Sequence, residues 1–180
     1  MKLGIYMGSF NPPHKGHIGI VNYLLKKRYV DKIIIVPTLG YWDKDNLADI
    51  KDRINMLKFY ENENIIVDTK HNNLIYTYEL VKELEKDYPL DELAVIMGAD
   101  NLVNLDKWKN YQELLKYNII IMNRNNIDIE KYVNILNGNF TMINDYKPLD
   151  ISSTEIRKKL SSKYLDKKVL DYIKKNNIYK

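Results

Sequence analysis

Six short runs rich in β-branched residues, most of them followed by a stretch with helical spacing, constrain this chain more than any other feature. The runs are Leu3 to Met7, Lys32 to Val36, Ile65 to Asp68, Leu93 to Met97, Ile119 to Met122 and Phe140 to Ile143. Such alternation is the pattern of β-α units. Strands that are apolar nearly throughout are expected where helices cover both faces of a parallel sheet. Between them, Ile18 to Lys27, Tyr76 to Asp87 and Leu105 to Tyr117 place apolar residues three or four apart with charges opposite, and so predict amphipathic helices. Tyr164 to Ile173 has the same spacing and predicts a closing helix, with Tyr179 as a final anchor. The expected fold is α/β, a doubly wound and mainly parallel sheet, in a single domain over residues 1–180.

The absence of cysteine excludes a disulfide framework, a thiolate zinc site and a cysteine nucleophile. The longest apolar runs, such as Ile33 to Val36 and Ile119 to Met122, are far too short to span a bilayer. The first residues lack the apolar stretch and cleavage site of a signal peptide, so a cytoplasmic protein without membrane association is expected. The net charge of +4 comes from lysines interleaved with acids, not from a basic run. Small anionic substrates account for the excess equally well, and no nucleic-acid partner is expected. Nothing in the pattern fixes oligomeric state, and a homo-oligomer stays open.

Doubly wound sheets bind ligands beyond the carboxyl ends of their strands, where strand order reverses. The first strand-to-helix junction, Gly8-Ser9-Phe10-Asn11-Pro12-Pro13-His14-Lys15-Gly16-His17, is therefore the segment to read most closely. Gly8 is expected to let the backbone turn sharply and approach a ligand, and the prolines stiffen the loop. The helix start that follows offers unpaired N–H groups and a positive dipole end, which favour phosphate. His14 and His17 can both face that phosphate. Two other readings of the pair are a metal site completed by His71 and a plain structural turn. The segment is neither a G-x-x-x-x-G-K-[ST] loop nor a G-x-G-x-x-G fingerprint, which argues against P-loop kinases and ordinary dehydrogenases.

A second constellation, Ile151-Ser152-Ser153-Thr154-Glu155-Ile156-Arg157, lies near the other end. Serine with a glutamate two or three residues on is a helix cap. Three hydroxyls and an arginine at a helix start also make a polyphosphate clamp. The two functions can coexist.

The first segment resembles the G-x-F-x-P-x-H-x-G-H signature of the nucleotidyltransferase superfamily related to class I aminoacyl-tRNA synthetases. The second resembles its I-S-S-T-x-I-R motif, in the form usual among nicotinate-nucleotide adenylyltransferases. Gly98-Ala99-Asp100, after the fourth strand, and Trp108 resemble that family's G-A-D turn and later tryptophan, and Tyr76-Thr77 its S-Y-T element, with Ile75 in place of the serine. The resemblance implies a Rossmann-like fold and transfer of AMP from ATP to nicotinate mononucleotide. It implies catalytic roles for His14, His17, Lys44 and Arg157. It implies an ATP site of Gly8, Ser9, Phe10, His14, His17, Gly98, Asp100, Ile151, Ser152, Ser153, Thr154 and Arg157. The mononucleotide would meet Ser9, Lys44, Arg53, Thr77, Trp108 and Arg124. Mg2+ would arrive on the ATP phosphates, with no dedicated protein ligands. Residues 150–180 would close the ATP site. The chain departs from the family at Tyr41-Trp42-Asp43, where a P-P-H-K segment retains only Lys44, and at Asn125-Asn126, where an R-P-G turn retains only Arg124. Rival readings are an adenylyltransferase for nicotinamide mononucleotide or 4′-phosphopantetheine, and a nucleotide sensor without turnover.

Overall fold

Alternate residues of each central strand belong to two different cores, as a period of two requires when a sheet is covered on both faces. Leu3, Ile5, Ile34, Val36, Val95, Met97, Ile119 and Ile121 pack into one core with Leu80, Val81, Leu84, Leu102 and Leu114. Tyr6, Ile33, Ile35, Ala94, Ile96, Ile120 and Met122 pack into the other with Ile20, Val21, Leu24 and Leu57. The computed structural model describes residues 1–40, 46–124 and 126–179.

The strands are β1 (Lys2–Gly8), β2 (Lys32–Pro37), β3 (Ile65–Val67), β4 (Glu92–Gly98), β5 (Asn118–Met122) and β6 (Asn139–Ile143). They form one sheet in the order β3-β2-β1-β4-β5-β6. Every pair is parallel. Ile5 is in register with Ile34 on one side and Val95 on the other. The chain winds outward from β1 to β3, returns to lay β4 on the other flank of β1, and winds outward again. The reversal therefore falls between β1 and β4, whose carboxyl ends are Gly8 and Gly98.

The helices are α1 (Lys15–Lys26), α2 (Ile50–Leu57), α3 (Thr77–Asp87), α4 (Ala99–Val103), α5 (Tyr111–Leu114), α6 (Ile129–Leu136), α7 (Ser153–Lys158) and α8 (Lys167–Lys175). In α1 the buried face is Ile18, Ile20, Val21 and Leu24. In α8 it is Val169 and Ile173, one turn apart. These two join Met56, Ile156 and Leu165 in a third, smaller core that fastens α7 and α8 to α2. Burial of one such aliphatic side chain contributes roughly 1.5–3 kcal/mol. Among the described residues no helix is long and apolar enough to cross a membrane.

The predicted helix from Leu105 to Tyr117 is not continuous. A single 3-10 turn over Leu105–Lys107 is followed by Trp108 in extended backbone (φ −77°, ψ 141°) and Asn110 in the left-handed region (φ 52°), before α5 begins. Asparagine accepts that conformation more readily than most residues. The break turns Trp108 toward the ligand cleft, while Leu105 and Leu114 remain buried on either side of it.

Candidate active site

The histidines are fixed by the helix start they were expected to flank. His14 caps α1, its Nδ1 accepting the Gly16 N–H at 3.0 Å. His17 reciprocates, its Nδ1 accepting the His14 N–H at 3.2 Å. A nitrogen that accepts from a backbone N–H carries no proton, so in each neutral ring the proton sits on Nε2. The rings stack with centroids 3.6 Å apart, and Phe10 packs its edge on His17 at 4.9 Å.

Burial pushes the pKa of His14 down to about 4, helped by the charge of Arg124. Burial likewise holds His17 well below the ordinary histidine value, with His14 and Arg124 adding to it. At neutral pH the apo site thus presents two uncharged N–H donors. The unfolded chain binds a proton near pH 6.5, whereas folded His14 resists until about pH 4. In that window the unfolded state holds more protons, so stability falls as pH drops, by up to about 1.4 kcal/mol per pH unit for His14. We expect urea midpoints to decline from pH 7 to 5, and His14→Asn, which retains a capping side chain, to decline less steeply. An unchanged pH slope in that variant would contradict the assignment.

The sharp turn expected at Gly8 falls at Phe10 instead, where φ is 47°. Gly8 ends β1 without a positive φ, and its role is space: an added Cβ would stand 3.3 Å from the Phe10 ring. Gly98, at the end of β4, clears room in the same way. A Cβ there would lie 2.4 Å from Asp100 Oδ1 and 2.9 Å from the Arg124 guanidinium. Asp100 and Arg124 pair at 3.6 Å across this glycine, both partly open to solvent. Arg124, expected to meet the mononucleotide, lies beside Asp100, and its charge reaches both histidines.

Beyond the carboxyl ends of β1 and β2 lies a cleft of about 820 Å³. Thr77, at the first turn of α3, and Trp108 stand in its wall with Gly8, Arg53 and Asn101. Tyr76, at the cap position of α3, makes no side-chain hydrogen bond to the helix, so the first-turn N–H groups have no side-chain cap. Arg53 is buried, 1% exposed, and donates to the carbonyls of Ala48, Ser9 and Thr38. Its charge lies beneath the wall and ties together the connections that follow β1 and β2. Lys44 and the neighbouring Tyr41-Trp42-Asp43, as well as Asn125, lie outside the described residues.

The second motif is brought against the first. Ser152 caps α7 in a capping box with Glu155, its Oγ accepting the Glu155 N–H at 3.2 Å. Arg157 Nη1 donates to the Asn11 carbonyl at 2.8 Å, and Nη2 lies 3.4 Å from Thr154 Oγ1. The Lys15 N–H donates to the Tyr164 carbonyl at 2.9 Å, adding a backbone tie between α1 and the C-terminal segment. Ser153, Thr154 and half-buried Ile151 accompany this start of α7. His71 is engaged elsewhere, 2.9 Å from Asp68 and 3.4 Å from Asp87. The described residues contain no group of three side chains suited to a metal ion.

Sequence reasoning missed Tyr6, Tyr146 and Asn11. Tyr6 packs on Phe10 and His17. Tyr146 lies over Gly19 of α1, its hydroxyl 2.5 Å from where a Cβ would stand. Asn11 sits at an unassigned position within the histidine motif, so the motif gave no signal for it.

The cytidylyltransferase-like family model matches residues 5–159. A Fusobacterium nucleatum protein named "Probable nicotinate-nucleotide adenylyltransferase" is 37% identical, over 99% of this chain and 100% of its own length. An Endomicrobium trichonymphae protein of the same name is 33% identical, over 99% of both chains. The Plasmodium falciparum nicotinic acid mononucleotide adenylyltransferase complexed with NaAD superposes with a TM-score of 0.81 at 23% identity, over 99% of this chain and 97% of that one, and so shares the fold. The chain belongs to the cytidylyltransferase-like family, among its nicotinate-nucleotide adenylyltransferases.

Proposed function

We propose that this enzyme joins ATP and nicotinate mononucleotide into nicotinate adenine dinucleotide, releasing pyrophosphate, with His14, His17, Lys44 and Arg157 as its catalytic groups. The observation that carries the site reading is the meeting of two motifs from opposite ends of the chain at the reversal of strand order, joined by the Arg157 bond to the Asn11 carbonyl.

A 5′-phosphate oxygen of the mononucleotide attacks the α-phosphorus of ATP in line. The bond from that phosphorus to the bridging oxygen of the β-phosphate breaks, and pyrophosphate leaves with the electron pair. The nucleophile is already an anion, so no general base is needed. The protein holds two anions together and stabilises the charge that concentrates between them. His14 and His17 suit this through Nε2–H donors held by backbone bonds at Nδ1. Ser152, Ser153, Thr154 and Arg157 are assigned to the departing phosphates, with residues 150–180 closing over the ATP. Gly8, Ser9, Phe10, Gly98, Asp100 and Ile151 complete that half. Lys44 stands on the family resemblance alone.

Thr77 and Trp108 are assigned to the pyridine ring, with Ser9, Arg53 and Arg124 nearer the phosphate of the mononucleotide. The first turn of α3, lacking a side-chain cap, favours a carboxylate on that ring over a neutral amide. Magnesium would come with ATP, neutralising phosphate charge. The imidazole, hydroxyl and guanidinium groups gathered here suit phosphate oxygens, and Asp100 is paired with Arg124.

The test is pyrophosphate release from ATP and magnesium with nicotinate mononucleotide, nicotinamide mononucleotide or 4′-phosphopantetheine. We expect nicotinate mononucleotide to exceed the nicotinamide form by about tenfold or more in kcat/KM, the worth of a charge-assisted hydrogen bond. Release with phosphopantetheine alone would overturn the pyridine assignment. Binding without release in every case would make the protein a sensor.

A further inference from the structure

Asn11 is 1% exposed, and its bonds reach far along the sequence. Its Nδ2 donates to the Asn46 carbonyl at 2.8 Å. Its Oδ1 accepts the Ala48 N–H at 3.0 Å and also the Tyr179 hydroxyl. Its backbone carbonyl accepts Arg157 at 2.8 Å. These partners belong to different parts of the site. Leu47 and Ala48 stand in the cleft wall, and Arg157 belongs to the segment assigned to the ATP phosphates. His14 follows Asn11 after two prolines, whose fixed φ angles transmit a displacement instead of absorbing it.

The Ala48 N–H and the Asn46 carbonyl fix which way the Asn11 amide faces, since a flip would set its NH2 against a donor and its oxygen against an acceptor. The Tyr179 hydroxyl adds a second hydrogen bond to the oxygen held in that orientation. Tyr179 is delivered to this point by two left-handed residues, Asn177 (φ 52°) and Tyr179 itself (φ 61°). Such backbone is unfavourable for tyrosine and persists only where surrounding contacts hold it. Ile178 and Tyr179 pack on the core of Met56, Ile156, Leu165, Val169 and Ile173.

We propose that Tyr179, acting through Asn11, is a positioning residue that keeps the cleft wall, Arg157 and His14 in one register and so couples the mononucleotide and ATP sites. The proposal rests on the adenylyltransferase reading above. It assigns a role in substrate coupling to a tail residue that acts through its bond to Asn11.

The test uses the full chain with Tyr179→Phe and Tyr179→Ala. Thermal midpoints, kcat and KM for each substrate are measured, together with the Kd of a non-hydrolysable ATP analogue with and without nicotinate mononucleotide. Tyr179→Phe keeps the ring and leaves Asn11 Oδ1 its bond from the Ala48 N–H, so its midpoint is expected to fall by no more than a few degrees. It should lose about tenfold in kcat/KM for both substrates, the worth of one hydrogen bond to a buried acceptor. The factor by which mononucleotide tightens analogue binding should fall toward one. If Tyr179→Phe matches wild type in kinetics and coupling while Tyr179→Ala merely melts earlier, Tyr179 is a packing anchor and the proposal is wrong. If wild type itself shows no turnover, the activity reading fails, and the binding arm still decides the coupling.

Discussion

His17→Ala should lower kcat by about a hundredfold or more, the usual cost of removing one well-placed donor to developing charge, about 3 kcal/mol. The donor at stake is the Nε2–H, aimed by the bond that the His14 N–H makes to His17 Nδ1. Loss of that bond also removes part of the α1 cap, a cost of about 1 kcal/mol in stability. The kinetics must therefore be read at a temperature where the variant is folded. His17→Asn is a useful companion, because a shorter amide can still cap a helix but does not reproduce the imidazole donor. Wild-type turnover by folded His17→Ala would remove the histidine pair from the chemistry.

Arg157→Ala should cost a similar factor in kcat/KM for ATP, roughly tenfold to a hundredfold for a charge-assisted hydrogen bond. The guanidinium joins the Asn11 carbonyl to the start of α7, where Thr154 lies 3.4 Å away. Its removal would weaken both the hold on the departing phosphates and the docking of the C-terminal segment. Arg157→Lys should recover part of the loss, restoring charge without the planar fork. Steady-state kinetics over a range of ATP concentration check this. An unchanged kcat/KM in Arg157→Ala would show that the residue only ties segments together.

The centre of the sheet was readable because β2, β4 and β5 are apolar runs rich in Ile and Val, bounded clearly in sequence and buried on both faces. The break at Trp108 was not readable, since the apolar spacing from Leu105 to Tyr117 suits one helix as well as two pieces around Asn110. The site divides similarly. Motif residues such as His14 and Arg157 announce themselves by type and spacing, and the structure brings their segments together. Arg53 gave no sign that three backbone carbonyls would hold its guanidinium under the cleft wall. Contacts among Asn11, Asn46, Ala48 and Tyr179 likewise depend on how distant segments meet. Local pattern carries no record of such meetings, which tertiary packing alone decides.

The most direct test of the account is the stereochemistry at the transferred phosphorus. ATP carrying a single sulfur of known configuration on its α-phosphate would be turned over with nicotinate mononucleotide, and the configuration of the thio-dinucleotide determined. A single in-line displacement, with His14, His17 and Arg157 acting only on charge and position, predicts inversion. Retention would reveal an adenylyl group passed through the protein and would contradict the mechanism.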